Sequence, residues 1–239
     1  MNSEYLDGNH TMQNNTSDTI QVIQCRVTND VFVNYCYLVI NTESGQSVAV
    51  DPAWEISTIE EYLSRYQVDL CGVLITHHHS DHIDLAPALA RAHDCSIYMS
   101  NMEYIYYNLS MDRVVLLDDG IDLTLGGITV HPIITPGHTA GSTCYLIDNA
   151  LFTGDTLFNE GTGVCSAAGG DPVKMFRSMQ LLKENIRDDV RIYPGHRYYS
   201  DLGTPFGKIK KYNIYLQIRD LDQFVKFRMR ENKEVMNFS

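Results

Sequence analysis

The stretch Thr76-His77-His78-His79-Ser80-Asp81-His82 places four imidazoles and a carboxylate within seven residues. In His77-x-His79, both imidazoles can leave an extended loop on one side and reach a single ion. Asp81 and His82 then open a predicted helix, where the positive end of the helix dipole favours a carboxylate. Imidazole and carboxylate are the donors that zinc accepts where no thiolate is offered. The stretch therefore predicts a metal-binding loop between a strand and a helix.

Three further residues of the same donor types follow at turns. They are His138 in Thr135-Pro136-Gly137-His138, Asp155 in Thr153-Gly154-Asp155-Thr156 and His196 in Tyr193-Pro194-Gly195-His196. Pro-Gly pairs are common in turns, so either of these histidines alone would indicate little. All four islands follow strand-like stretches, three of them the predicted strands that end at residues 76, 134 and 193, which favours one shared metal site. His78 alternates away from its two neighbours, and we expect it to pack or hydrogen-bond behind that site.

Length and composition fit one enzyme-sized domain. The 239 residues and 44% hydrophobic content allow a sizeable core. We predict a polar, disordered leader over residues 1–19, which lacks the features of a signal peptide, and a single domain over residues 20–239. No apolar run approaches the ~20 residues of a membrane span. The six dispersed cysteines are typical of free thiols in a reducing compartment, so we expect a cytoplasmic protein without membrane association.

Charge is distributed unevenly along the chain. The net charge of −12 argues against nucleic acid as a partner. The segment after His196 carries nine basic and five acidic residues and is therefore locally positive. Lys208, Lys210 and Lys211 lie there in a predicted helix. They are candidates for binding an acidic partner or a phosphate, and a merely solvated helix face is the equal alternative.

Alternating strand-like and helical segments predict a layered α/β fold. Strands are predicted at 21–28, 31–40, 46–50, 71–76, 96–99, 121–125, 128–134, 142–147 and 191–193, and helices at 56–66, 81–92, 171–186 and 205–216. The first two strands, parted by Asn29-Asp30, predict a hairpin. Asp171-Pro172 is a typical helix start, with Asp as the cap and Pro at the first helical position.

The four donor islands resemble those of the metallo-β-lactamase superfamily, whose glyoxalase II branch and its relatives cleave thioesters. The resemblance implies an αββα sandwich of two mixed sheets flanked by helices. It also implies two Zn²⁺ per chain, with iron or manganese occupancy left open. One ion would be held by His77, His79 and His138 and the other by Asp81, His82 and His196, with Asp155 bridging the pair.

On the basis of this ligand set we hypothesise catalytic roles for Asp81 and Asp155. They would orient a hydroxide that bridges the two ions and attacks the substrate carbonyl. A thiolate leaves readily, so a thioester requires no strong proton donor, and the sequence offers no obvious one. Asp51, at the end of a predicted strand, would orient the metal-binding histidines by accepting a ring N–H. A turn-forming Asp before Pro52 is the alternative.

Runs away from the donors resemble a narrower group, the stand-alone zinc hydrolases of bacterial trans-acyltransferase polyketide synthase clusters (the PksB/BaeB type). These runs are residues 22–37, 51–54, 99–102, 169–176, 212–218 and 224–228. This resemblance implies a thioester hydrolase that releases acyl groups from an acyl carrier protein, which would be its partner.

Three alternatives stay open. A glyoxalase II-type hydroxyacylglutathione hydrolase typically has a longer helical C-terminal segment, with Lys and Tyr shortly after Gly-Asp-Thr. Here residues 161–166 contain neither, which puts glutathione recognition in doubt. A lactonase or a β-lactamase-like hydrolase would differ mainly in pocket shape. A non-catalytic metal-binding partner protein is disfavoured because all seven donors are present.

Overall fold

The computed structural model describes residues 19–29 and 33–230, which form two six-stranded sheets. The first sheet has the spatial order β1 (Ile20–Thr28), β2 (Val33–Asn41), β3 (Gln46–Val50), β4 (Asp69–Leu74), β5 (Ser96–Ser100) and β6 (Val114–Leu117). The second has the order β12 (Thr204–Pro205), β11 (Arg191–Pro194), β10 (Ala150–Gly154), β9 (Thr143–Ile147), β8 (Ile128–Ile134) and β7 (Leu123–Leu125). Each sheet is thus built from one continuous half of the described chain.

Both sheets are mixed. In the first, β1, β2 and β3 pair antiparallel, whereas β3 to β6 pair parallel. In the second, only β10 and β11 pair parallel. The predicted hairpin of β1 and β2 is confirmed, with Thr28 opposite Val33, although residues 30–32 lie outside the described residues.

Three apolar layers hold the sheets and helices together. Strand β2 shows why its sequence reads as a continuous apolar run. Tyr37 and Val39 point between the two sheets, whereas Cys36 and Leu38 point to the opposite face, against the helices. Successive side chains of a strand alternate between faces, so a strand covered on both sides needs apolar residues throughout. The predicted αββα sandwich is confirmed by this arrangement.

Helices cover the two outer faces. They are α1 (Ile56–Tyr66), α2 (Ser80–Ile83), α3 (Ala86–Ala92), α4 (Asn101–Tyr106), α5 (Pro172–Asn185), α6 (Phe206–Tyr212), α7 (Ile214–Gln217) and α8 (Leu221–Arg228). Helices α1 and α3 pack on the first sheet, and α5 to α8 pack on the second. The Asp171 carboxylate caps α5 by accepting from the N–H groups of Val173 and Lys174, as the sequence predicted.

Two predicted helices are each divided in the structure. The helix predicted at 81–92 was wrong in its continuity, because the chain breaks between α2 and α3, where the N–H of Leu85 bonds to the carbonyl of Pro52. The helix predicted at 205–216 breaks at Asn213, whose backbone is extended and whose side chain caps α7. A polar tertiary contact overrides helix propensity at both breaks.

Several short elements were not predicted, namely β6, β10, β12, α4 and α8. The leader predicted for residues 1–19 lies, except for Thr19, outside the described residues. Among the helices of the described chain, none has the length and apolar character to cross a membrane.

Candidate metal centre

The histidine loop leaves the first sheet and reaches the second. After β4, the N–H of Ile75 bonds to the carbonyl of Tyr98, and the carbonyl of Thr76 accepts from the N–H of Thr143 in β9. The loop is therefore fixed by both sheets before its first donor, His77, which is 1% exposed. Donors from loops of the second sheet can meet it because the ends of both sheets share this side of the sandwich.

The first cluster contains His77, His79 and His138. The Nδ1 atom of His79 lies 3.0 Å from Nε2 of His77 and 3.0 Å from Nε2 of His138. His138 Nδ1 lies 2.7 Å from the carbonyl oxygen of Val164. A carbonyl only accepts, so His138 carries its proton on Nδ1 and presents a lone pair on Nε2. Three ring nitrogens thus converge on one point.

The electrostatics keep the first cluster neutral. Burial and the neighbouring His138 lower the pKa of His79 to about 4. Burial also lowers the pKa of His138, and burial together with His82 holds the pKa of His77 well below its ordinary value. Neutral imidazoles are the form that binds a cation.

The second cluster contains Asp81, His82 and His196. His82 Nε2 lies 3.6 Å from Asp81 Oδ2, and His196 Nε2 lies 3.5 Å from the same oxygen. Asp155 lies between the two clusters. Its Oδ1 is 3.4 Å from His82 Nε2, and its Oδ2 is 3.4 Å from His196 Nε2 and 3.6 Å from His138 Nε2. The structure therefore brings all seven predicted donors together.

Two buried atoms between the clusters have no hydrogen-bond partner. They are His82 Nε2 and Asp155 Oδ1. An unpaired buried polar atom is costly, and a cation between these two would satisfy both. Burial would lower the pKa of His82, but Asp155, Asp51 and Asp81 raise it to about 9. The carboxylates thus create a potential that favours a positive charge, and the donor set fits a metal centre.

Asp51 lies behind the second cluster, at the end of β3. Its Oδ2 accepts from His82 Nδ1 at 2.9 Å and from the Thr76 hydroxyl at 2.6 Å, while Oδ1 accepts from the Thr76 N–H at 2.7 Å. Its ligand atom also lies within 4.8 Å of those of His77 and His82. These three hydrogen bonds leave it little capacity to bind a metal. The geometry instead directs His82 Nε2 toward Asp81 and Asp155.

Glycines let the loops approach the centre. A side chain at Gly195 would place its Cβ 2.4 Å from His82 Cε1. Gly137 has φ of +144° and would place a Cβ 2.4 Å from the backbone of Met175. Both glycines precede donor histidines in the Pro-Gly-His turns, so the turns serve close approach as well as chain reversal.

The sequence matches the metallo-beta-lactamase superfamily over residues 29–196. The chain belongs to the metallo-β-lactamase superfamily. Two relatives within it match nearly the whole chain. "Probable polyketide biosynthesis zinc-dependent hydrolase BaeB" of Bacillus velezensis is 40% identical over 216 residues, which cover 90% of this chain and 96% of that protein. "Probable polyketide biosynthesis zinc-dependent hydrolase PksB" of Bacillus subtilis is 38% identical over 203 residues, with coverages of 85% and 90%.

Other matches have lower sequence identity. A "Hydroxyacylglutathione hydrolase" of Shewanella sp. is 35% identical over 171 residues, covering 69% of this chain and 62% of that protein. The crystal structure of ETHE1 from Myxococcus xanthus has a TM-score of 0.78 at 24% identity, with coverages of 88% and 92%, and shows the likeness of fold. The predicted enzyme class, a hydrolase of this superfamily, is confirmed.

A buried carboxylate that the sequence analysis missed supports the donor loops of this superfamily site. Glu103 Oε1 accepts from His78 Nδ1 at 2.7 Å and from the His78 N–H at 3.0 Å, and its Oε2 accepts from the Gly141 N–H at 2.7 Å. His78 also stacks on Tyr107, with ring centroids 3.6 Å apart. His78 therefore packs behind the site as expected. The sequence signal for α4 is Ser100-x-x-Glu103, in which Ser100 accepts from the Glu103 N–H.

A cavity of about 430 Å³ opens beside Asp155 and His196. Phe158 and Tyr198 form an aromatic wall next to His196, with the Phe158 ring centroid 5.8 Å from that of His196 and 5.2 Å from that of Tyr198. Residues 161–164 and Tyr215 form another side.

The three lysines singled out in the sequence lie away from this cavity. Lys210 forms an ion pair with Asp188 and lies over the Phe206 ring, 4.7 Å from its centroid. Lys208 and Lys211 are exposed, and none of the three lines the cavity. Their role in partner binding stays a prediction. The basic residues on the cavity wall are instead Arg228 and Arg230, whose place depends on how the C-terminal helices pack.

Proposed function

We propose that the protein is a dinuclear zinc hydrolase that cleaves acyl thioesters, with an acyl group on an acyl carrier protein as its substrate. The observation that carries the proposal is the convergence of seven donors in two clusters around Asp155. The two relatives that match nearly the whole chain are both named polyketide biosynthesis zinc-dependent hydrolases. Acyl chains in such synthesis are carried as thioesters, which motivates the substrate.

His77, His79 and His138 would hold one ion, Asp81, His82 and His196 the other, and Asp155 would contact both. When bound, the two ions would supply an acidified water and an electrophilic contact for the carbonyl oxygen. The chain's own residues fix the donors. Val164 holds the His138 ring through its carbonyl, and Asp51 holds the His82 ring through its carboxylate. Asp81 and Asp155 would orient the attacking water through their carboxylate oxygens.

The cavity residues favour a thiolate leaving group. The carboxyl groups on its wall are those of Asp155, which belongs to the donor set, and Glu160, whose Oε1 accepts from the Ser200 N–H at 2.7 Å. Burial raises the pKa of the Tyr198 phenol, which makes it a weak acid. A thiolate departs without a proton, whereas an amide nitrogen requires one.

Hydrolysis of matched substrates tests the proposal. The zinc-loaded protein should cleave an acyl thioester at least about 100-fold faster than the amide of the same acyl group, which corresponds to roughly 3 kcal/mol of activation free energy. Equal rates on the two would show that a proton donor operates, and Tyr198→Phe would identify it if the amide rate alone fell. A metal-loaded protein that hydrolyses no ester, thioester, lactone or amide would favour a non-catalytic partner protein.

A glutathione thioester is the second candidate substrate, because hydroxyacylglutathione hydrolases are among the relatives. The same acyl group should be offered on acyl carrier protein and on glutathione, with a homoserine lactone as a third substrate. We expect the highest kcat/KM on the carrier protein. A preference for the glutathione thioester would overturn the carrier-protein assignment and leave the proposed metal chemistry standing.

A further inference from the structure

Two arginines at the end of the last described helix face the cavity. Helix α8 packs against α5, with its Phe224 buried in the helical layer on the second sheet. Arg228 is the last residue of α8, and Arg230 follows two residues later. Both line the same cavity as Asp155 and His196.

The two arginines converge on the hydroxyl oxygen of Tyr215. Arg228 Nη1 donates to the Tyr215 hydroxyl at 3.0 Å. Arg230 Nη1 donates to the same hydroxyl at 3.4 Å and also to the carbonyl oxygen of Phe227. Tyr215 is 5% exposed and its backbone N–H is held by the Asn213 side chain, so this acceptor is fixed in place. Arg228 Nη1 also lies 3.3 Å from the carbonyl oxygen of Thr162, and Arg228 Nε is buried without a partner.

Neither guanidinium has a counter-charge among the described residues. No carboxylate of the described chain lies within 4.0 Å of either, although Glu160 lines the same cavity. Arginine stays charged in proteins, so two positive groups share one phenol oxygen in a partly enclosed space. Such an arrangement becomes favourable when an anion binds between the two groups, because a guanidinium fork matches carboxylate and phosphate oxygens.

We propose that Arg228 and Arg230 form a subsite for an anionic group of the substrate. The inference rests on the proposed function, in which this cavity receives an acyl thioester. The shared chemistry is a phosphate or a carboxylate. Its two possible sources are a phosphate on the thiol arm and a carboxylate on the acyl chain.

Two matched pairs of thioesters distinguish the sources. Acetyl-pantetheine and acetyl-4′-phosphopantetheine differ only in the phosphate. The acetyl and malonyl thioesters of N-acetylcysteamine differ only in the acyl carboxylate. For one pair, we expect the kcat/KM of the charged member to exceed that of the neutral member by about tenfold or more, since hydrogen bonds to charged groups commonly contribute at least that factor.

Substitutions assign the preference to the arginines. Arg230 is exposed, so Arg230→Gln should fold, and it should reduce the charged-to-neutral ratio to below about threefold. Arg228→Gln should do the same, with Arg228→Lys as the variant that keeps the charge but loses the fork. Lys226→Gln is the matched control, because Lys226 is an exposed residue of α8 that does not line the cavity, and it should keep the wild-type ratio.

Two results would overturn the subsite: a ratio near one for both pairs in the wild type, or a ratio that survives in Arg230→Gln and Arg228→Gln. Calorimetric binding of 4′-phosphopantetheine, pantetheine and malonate to the zinc-loaded protein provides a readout without turnover. Arginine-dependent binding of an anion without any thioester hydrolysis would sink the proposed function and keep the subsite. Thioester hydrolysis without any preference for the charged substrates would overturn the subsite and leave the proposed function standing.

Discussion

Asp155 faces side chains of both clusters, so its loss should affect both of the ions proposed above. Its Oδ1 is directed at His82 and its Oδ2 at His138 and His196. In Asp155→Ala we expect the zinc content to fall from about two ions per chain to below one and kcat/KM to fall by at least about 100-fold, more than the loss of an outer partner causes. Elemental analysis of the purified proteins measures the zinc content. Asp189→Ala, at an exposed carboxylate, is the control. If Asp155→Ala kept one tightly bound ion per chain and unchanged activity, the two-metal scheme would be wrong.

A substitution at Asp51 tests how the orientation of His82 affects metal binding, because it leaves all seven donors in place. Asp51 has φ of +50°, a conformation that Asn tolerates well, so Asp51→Asn keeps the backbone and alters the acceptors of the His82 and Thr76 hydrogen bonds. We expect zinc affinity to fall by about 10- to 100-fold, with a smaller effect on the stability of the apoprotein. Competition with a chromophoric chelator measures the affinity.

The chain offers a matched control for that substitution. Asp94 also has φ of +50°, but its side chain is 88% exposed and pairs with Arg113. Asp94→Asn should leave zinc affinity unchanged. If Asp51→Asn bound zinc as tightly as Asp94→Asn, then Asp51 would serve only the turn before Pro52.

Among the elements, α4 ties together the two loops that carry the first cluster. Glu103 on this helix accepts from His78 and Gly141, which lie in different loops. In Glu103→Ala, the buried N–H of Gly141 and the partly buried N–H of His78 lose their acceptor, and a buried group left unpaired costs about 1–3 kcal/mol. We expect the free energy of unfolding of the apoprotein to fall by about 3 kcal/mol and zinc affinity to fall as well.

Chemical denaturation of the apoprotein and a zinc titration measure these effects separately. Glu184→Ala, at an exposed position of α5, is the control and should change neither. A Glu103→Ala protein that is destabilised but binds zinc normally would confine Glu103 to a role in folding.

The sequence predicted elements well where periodicity dominated. Helix α1 and strand β8 begin and end at their predicted residues, because each has one strong hydrophobic pattern. The helix predicted at 205–216 breaks at Asn213. The side-chain amide of Asn213 donates to the carbonyls of Phe158 and Gly161 in a distant loop. Local propensity carries no information about such a partner. The grouping of the seven donor-type side chains could be predicted because they stand in short motifs. Glu103 and the two arginines were missed because only the fold brings them to the site.

The six cysteines of the chain are buried or partly buried, and none is in a disulfide. Burial raises the pKa of Cys95 to about 11 and those of Cys144 and Cys165 to about 12. A raised pKa keeps these thiols protonated at pH 8, and the thiolate is the reactive form. Iodoacetamide should therefore modify at most Cys71, the least buried, in the native protein, and all six after denaturation. Mass spectrometry counts the adducts. Rapid native alkylation of Cys144 would contradict this.

The distribution of charge predicts how a carrier protein would approach. Lys208 and Lys211 are exposed, whereas Lys210 is paired with Asp188, so the double charge reversal Lys208→Glu/Lys211→Glu tests the surface without burying a like-charge pair. We expect KM for an acyl carrier protein substrate to rise and its salt sensitivity to fall, because rim charges act mainly on encounter. The KM of the double variant for an N-acetylcysteamine thioester should change little. The control variant Lys174→Glu should leave the KM for the carrier protein substrate nearly unchanged. An equal loss of activity on both substrates would indicate that Lys208 and Lys211 lie on a solvated helix face that does not bind the carrier protein.

Each sheet comes from one half of the chain, and each cluster takes donors from both halves. His77 and His79 follow β4 of the first sheet, whereas His138 follows β8 of the second, and the Asp81, His82 and His196 cluster is divided in the same way. A bound ion would therefore cross-link two sheets that no disulfide joins. Each tenfold excess of zinc over its dissociation constant would add about 1.4 kcal/mol against separation of the halves. Chelation should consequently increase hydrogen exchange in the loops of both sheets together.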